Sequence, residues 1–283
     1  MKILVTGGAG FVGTNLIRRL LKEGHSVVSL DNYSTGLKQN EVEGAIYANI
    51  DINDIEIKDK SYWEGFGLVY HLAAIARIQP SFENPIDYLK TNGVATMRLA
   101  KICSNAKIPL IYAGSSSHHS GKFSNPYTFS KDIGEEVLQL FAKNYGLKYS
   151  IARFYNVYGP NQLLEGGYTT LIGRWISNLQ KGLPCEIYGD GEQRRDFTHV
   201  SDIVDALVKI MELQAYDKDF ELGRGKNYSV NEVANMFNVT PIYRDAKPGE
   251  ARNTLCESKV ARDVLGWKPQ INLLDYIKTL KWK

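Results

Sequence analysis

The sequence predicts an α/β fold, a doubly wound parallel sheet with a smaller α/β domain attached. Three observations predict it. Short apolar runs alternate with helical patterns as far as Phe154, the order that builds parallel sheets through right-handed crossovers. A glycine-rich turn joins the first apolar run to the first helix. After Gly159-Pro160 the texture changes: Gly and Pro become frequent (GPNQLLEGG, KGLPCEIYGDGEQ, KPGE) and the helical patterns shorten.

Taken in order, Lys2–Thr6 is an apolar run ended by glycines, the pattern of a strand buried on both faces. Thr14–Glu23 carries Leu16, Ile17, Leu20 and Leu21 at helical spacing and ends at Gly24, a C-terminal cap. Ser26–Asp31, Ala45–Ile50 and Gly67–Leu72 read as the next three strands. Pro85–Cys103 reads as one long helix and Pro109–Ala113 as the fifth strand. Tyr127–Tyr145, with Ile133, Val137, Leu140 and Phe141 on one face, is a helix, and Tyr149–Phe154 a sixth strand. The first domain is expected over residues 1–159, with about 197–222 returning to it. The second is expected over about 160–196 and 223–283 and would bind substrate.

Composition excludes several classes. A chain 43% hydrophobic and 23% charged is an ordinary globular protein, not a disordered one. A net charge of +3 with no basic block gives no support to a nucleic-acid or anionic-membrane partner. Cys103, Cys185 and Cys256 are far apart and odd in number, so they read as reduced thiols of a cytoplasmic protein. MKILVTGG leads straight into a strand, leaving no signal peptide to expect, and no apolar run approaches a membrane span.

The first turn reads Thr6-Gly7-Gly8-Ala9-Gly10-Phe11-Val12-Gly13. Gly8, Gly10 and Gly13 fit G-x-G-x-x-G, and Gly7, Gly10 and Gly13 fit G-x-x-G-x-x-G. Glycine allows the tight turn and the close approach of a pyrophosphate. The helix that follows offers free N–H groups and a positive dipole end. This is the Rossmann-type arrangement, since the turn follows a strand and opens a helix. Asp31 ends the second strand, where a carboxylate accepts hydrogen bonds from ribose hydroxyls. It would repel a 2′-phosphate, and neither Asn32 nor Tyr33 supplies a cation, so NAD is expected over NADP.

Gly114 to Lys131 reads GSSSHHSGKFSNPYTFSK. Tyr127 and Lys131 lie four apart and share a helix face. An ammonium near the phenol, together with a positive nicotinamide ring, favours phenolate and makes the tyrosine a base near neutrality.

In this order the motifs resemble the extended short-chain dehydrogenase/reductase family, in its nucleotide-sugar epimerase/dehydratase branch. They are TGGAGFVG, DNYSTG at Asp31–Gly36, DIND at Asp51–Asp54, HLAA at His71–Ala74, TNGVAT at Thr91–Thr96 and YTFSK at Tyr127–Lys131. RFYNVYGP at Arg153–Pro160, GDGEQRRDFTHVSDI at Gly189–Ile203 and SKVARDVLGWKP at Ser258–Pro269 complete the set. The resemblance implies NAD held by Gly7, Gly10, Phe11, Val12, Asp31, Asn32, Ser34 and Gly36, with Asp51 and Ile52 flanking the adenine. Leu72, Ala73, Ala74, Asn92, Tyr127, Lys131 and Tyr155 would line the rest of the cofactor channel. It implies a sugar-nucleotide site built from Ser117, His118, Asn156, Tyr188, Arg195, Lys247 and Glu250. Asn84 and Lys247 depart from the family, which often has lysine and arginine there; a lysine lacks the bidentate fork.

The family's catalytic serine stands five residues before the glycine that ends the turn, which counts back from Gly121 to Ser116; Ser115 and Ser117 are its rivals. Dehydratase relatives carry an Asp-Glu pair just after this hydroxyl, whereas here the residues are Ser117 and His118, and no carboxylate occurs from Gly114 to Lys131. The histidine pair lacks an evident third ligand, so no metal site is expected. His118 and His119 read either as loop residues or as a contact or second acid for the sugar.

The resemblance therefore implies epimerisation of a nucleotide sugar at C4 through a transient 4-keto intermediate, with UDP-glucose/UDP-galactose or their N-acetyl forms as substrates. The alternatives are a 4-ketoreductase, a GDP- or dTDP-sugar epimerase, and a non-catalytic NAD-binding protein. It also implies a homodimer paired through the helices at Pro85–Cys103 and Tyr127–Tyr145.

Overall fold

The computed structural model describes residues 1–55 and 60–281. Seven parallel strands form the central sheet: β1 Lys2–Thr6, β2 Ser26–Asp31, β3 Ile46–Asn49, β4 Phe66–His71, β5 Leu110–Ser115, β6 Tyr149–Phe154 and β7 Lys218–Leu222. Their spatial order is β7-β6-β5-β4-β1-β2-β3. The order reverses between β1 and β4, which pair with Leu4 opposite Val69. A crevice opens beyond the carboxyl ends of strands at such a switch point.

The helices flank the sheet because each carries an apolar stripe that one sheet face can bury. On one face lie α1 (Phe11–Lys22) and a helix at Val200–Glu212. Leu16, Ile17 and Leu20 of the first join Val204, Leu207 and Ile210 of the second in one core. On the other face lie α2 (Ala95–Ala106) and α3 (Pro126–Tyr145), burying Leu99, Cys103, Leu138 and Phe141 over Leu4 and Val69. A third core gathers Tyr158, Trp175, Phe197, Val233 and Phe237 beyond the sheet's carboxyl edge. Each large side chain so buried contributes roughly 1.5–3 kcal/mol.

Two elements differ from the sequence expectation. The helix expected over Pro85–Cys103 is interrupted: Pro85–Leu89 leads into a π-turn at Lys90–Val94 before α2 begins. A hydrophobic pattern does not register the one extra residue of a π-turn, a feature often found at functional sites. Second, the sheet has a strand beyond β6. KDFEL (β7) alternates charged and apolar residues weakly, yet it pairs with β6 over Lys218↔Ser150 to Leu222↔Phe154. Of the apolar α3 positions, Val137 and Phe141 are core, each 5% exposed, while Leu140 is 49% exposed.

Candidate active site

The crevice at the switch point opens into a cavity of about 680 Å³. One wall is the glycine turn. Gly7 takes φ +74, and a Cβ there would stand 2.8 Å from Ala73 N. A Cβ on Gly13 would meet Gly7 O at 2.2 Å, so only glycine lets α1 start this close to the turn. Gly10 caps α1 without a side chain. That leaves first-turn amides beside the cavity with a positive dipole end behind them, a cradle suited to a pyrophosphate.

Asp31 sits at the end of β2 with its Oδ2 accepting from Ala9 N (2.9 Å) and its Oδ1 from Tyr33 N (2.8 Å). Each oxygen keeps a lone pair for a ribose hydroxyl. Asp51 anchors the neighbouring loop: its Oδ2 accepts from Asn32 Nδ2 at 2.8 Å and its Oδ1 from Asn53 N at 2.8 Å. The cradle, the ribose acceptor and the space beyond them fit a dinucleotide.

The opposite wall is the start of α3. Asn125 Oδ1 accepts from Thr128 N at 2.8 Å and Pro126 occupies the first turn, so the helix begins just where Tyr127 faces the cavity. Lys131, one turn on, is only 4% exposed, and its Nζ lies 4.0 Å from the centre of the Tyr112 ring. Burial pushes this ammonium down to about 7, partly opposed by Glu135. Burial likewise raises the Tyr127 phenol, against a hydrogen bond with Ser115 and the positive charge of Arg77.

Ser115 is the hydroxyl that lowers the phenol pKa, while Ser116 is the serine to which the spacing points. Ser115 ends β5 and caps a 3-10 turn at Ser116–Ser120, accepting from Ser117 N (3.2 Å) and Ser117 Oγ (3.0 Å). Ser116 also borders the cavity but is 8% exposed. The positive charge that lowers the phenol pKa is that of Arg77, and the Lys131 ammonium lies over the Tyr112 ring.

Of the sequence-predicted residues, Gly7, Gly10, Phe11, Val12, Asp31, Asn32, Ser34, Gly36, Asp51, Ile52, Leu72, Ala73 and Ala74 line this one cavity. So do Ser116, Ser117, Tyr127, Lys131, Asn156, Arg195 and Glu250. Five others lie off it. Asn92, 1% exposed, spends its amide on Ile75 N, Ile75 O and Ser130 Oγ, all at 2.9 Å, and so fixes the loop after β4 from behind. Tyr155 is 2% exposed, and its phenol is raised mainly by burial and by Glu221. Tyr188 and Lys247 pair with each other, Nζ lying 3.6 Å from the ring centre.

His118 is the fifth. Its Nδ1 meets Asp132 Oδ1 at 2.8 Å and Glu135 Oε2 at 3.7 Å, while His119 Nε2 meets Glu221 Oε1 at 3.1 Å. The pair thus ties the serine turn to α3 and β7. The donor atoms of His118, Asp132 and Glu135 lie within 4.8 Å of one another, supplying companions that spacing alone did not reveal. Arg153 already bonds both oxygens of Glu135, Nε lying 3.0 and 3.1 Å from them.

Sequence reasoning passed over Arg77 and Tyr168, both on the cavity wall. Arg77 had a signal: it is the sole charged residue between His71 and Glu83.

A dinucleotide turn and a buried tyrosine–lysine helix facing one cavity define a nucleotide-cofactor enzyme. The chain belongs to the NAD dependent epimerase/dehydratase family, whose sequence profile matches residues 3–223. It is 33% identical to a putative UDP-glucose 4-epimerase of Methanocaldococcus jannaschii, over 98% of this chain and 96% of that protein. Its structure is similar to that of a UDP-glucose 4-epimerase of Thermotoga maritima with UDP-glucose, with TM-score 0.91 and 29% identity, covering 98% and 96% of the two chains. It is also similar to a Thermus thermophilus UDP-glucose 4-epimerase in complex with NAD, with TM-score 0.87 and 27% identity, covering 98% and 97%.

Proposed function

We propose that the protein epimerises a nucleotide sugar at C4 with NAD as the bound redox partner, a UDP-sugar being the substrate class. The observation that carries this is the placement of Tyr127, Ser115 and Lys131 in the same cavity as the glycine turn and Asp31. NAD supplies a hydride acceptor and donor. Tyr127 takes the proton of the C4 hydroxyl and later returns it. Ser115 hydrogen bonds the phenol and holds it toward the reacting oxygen. Lys131, kept near its titration point by burial, offers a proton or a charge one turn away. On the second-domain side, Asn156 is steadied by Asp196 O (3.0 Å) and Thr254 Oγ1 (3.2 Å), and Arg195 meets Glu250 at 3.2 Å; both would face the sugar nucleotide.

The carboxylates nearest the catalytic helix support epimerisation over dehydration. Asp132 and Glu135 are turned to His118 and Arg153, and neither lines the cavity. Incubation with UDP-glucose, UDP-galactose and their N-acetyl forms should interconvert the C4 epimers with no net change in reduced nicotinamide. Stoichiometric loss of NADH would make the protein a ketoreductase. No conversion of any sugar by NAD-loaded protein would end the reading.

The same reading includes a homodimer. Ile86, Val94 and Met97 on the first helical stretch and Leu140 and Tyr145 on α3 are between 42% and 68% exposed, an apolar face suited to pairing. Met97→Glu with Leu140→Glu should halve the mass measured by light scattering, and a wild-type monomer at micromolar concentration would refute the dimer. Cytoplasmic residence is supported by three buried cysteines, all free. Among the described residues, no helix is long and apolar enough to cross a membrane.

A further inference from the structure

Arg77 stands out within the cavity. It lies in the loop after β4, lines the same cavity as Tyr127, and takes φ +89, a conformation that strains any residue but glycine. Tyr88 holds it there, its hydroxyl donating to Ala76 O (2.8 Å) and Arg77 O (3.0 Å) while its ring meets the Tyr127 ring edge-on at 6.2 Å. Arg77 Nε donates to Tyr168 O at 2.9 Å. Among the described residues, neither terminal nitrogen is hydrogen-bonded within the chain and no carboxylate lies within 4.0 Å of the guanidinium. Arg195, also lining the cavity, faces Glu250 instead. Arg77 is part-exposed to the cavity, the carboxylate whose charge reaches it is Glu250, already held by Arg195, and a guanidinium fork matches a further carboxylate in two parallel bonds. A backbone kept strained beside the catalytic phenol points to a purpose at that end of the cavity, where the hexose must lie.

We propose that Arg77 forms a carboxylate subsite at the sugar end of the cavity, so that the preferred substrate is a nucleotide sugar whose hexose is a uronate. This rests on the C4-epimerase reading and narrows it. The diphosphate is common to every nucleotide sugar and lies a hexose ring away from the reacting carbon, so a guanidinium beside Tyr127 reads the sugar.

Binding and turnover separate the two claims. Titration calorimetry on the NAD-loaded full chain compares UDP-glucuronate with UDP-glucose for wild type and for Arg77→Gly, which suits φ +89 and should keep the fold. Arg77→Met with a melting curve guards against a folding artefact. The wild type should bind UDP-glucuronate at least about tenfold more tightly. Both variants should lose roughly 100-fold in affinity for it, the size of a lost charge-assisted pair, and the preference should collapse toward one. Equal wild-type affinities would overturn the subsite. So would an equal loss for both ligands, which would assign Arg77 to the diphosphate. If the binding preference holds but neither sugar is epimerised, the subsite stands and the epimerase reading falls.

Discussion

Tyr127→Phe should lower the rate of C4 epimerisation by about 10²–10⁴-fold while leaving NAD bound, as measured by nucleotide released on denaturation. The substitution removes one oxygen and preserves the ring that packs against Tyr88. It leaves the cap at Asn125, the glycine turn and Asp31 untouched, so the loss would be one of proton transfer. Ser115→Ala should act on the same phenol more gently. The Ser115 hydrogen bond lowers the phenol pKa against the effect of burial, so its removal raises that pKa. Less phenolate is then present at neutral pH, and the activity profile should move to higher pH. A Tyr127→Phe enzyme within tenfold of wild type would assign the proton to another group, as would a Ser115→Ala profile that does not move.

The parts of this site legible in the sequence were those encoded by local spacing. The glycine turn, Asp31 and Tyr127-x-x-x-Lys131 each sit within one strand–turn–helix unit, where chain geometry leaves little freedom. Counting from Gly121 points to Ser116, and the structure sets both Ser116 and its neighbour Ser115 on the cavity wall with Tyr127. The 3-10 turn at Ser116–Ser120 puts Ser115 at its cap, and the Ser115 hydroxyl is the one that lowers the phenol pKa. Asn92 was placed in the channel by its motif, but the π-turn at Lys90–Val94 directs it to the backbone of Ile75. Arg77 depends on where a loop crosses the cavity, and no local pattern encodes that. The histidine pair was unreadable for a related reason: its partners Asp132, Glu135 and Glu221 come from α3 and from a strand, β7, whose mixed composition concealed it.

That strand also supplies the largest expected effect on stability. Arg153→Met should destabilise the fold by about 3–5 kcal/mol, a fall in melting temperature of about 10 °C. Arg153, 7% exposed, bonds Glu135 through Nε, Glu221 through Nη1 at 2.9 Å and Asp219 through Nη2 at 2.9 Å, joining β6, α3 and β7. Removing it strands two buried carboxylates beside each other, whereas removing a surface pair changes little. The sign of the pH dependence follows from Glu135, whose pKa burial already raises despite the opposing effect of Arg153. Without the arginine it rises further, so folded Glu135 holds its proton at a pH where the unfolded chain has released it. The penalty is then full above the folded pKa and is relieved as pH falls through it. The gap between variant and wild type should be widest at high pH and narrow as pH falls through the raised Glu135 pKa, and adding Glu135→Gln should recover part of it. A gap below about 1 kcal/mol, or one flat with pH, would show the network to be solvated rather than structural. Glu135 and Glu221 also hold His118 and His119, and through them the turn that carries Ser115. The same variant should therefore lose activity at temperatures well below its melting point, because the charge network behind the sheet positions the hydroxyl that tunes Tyr127.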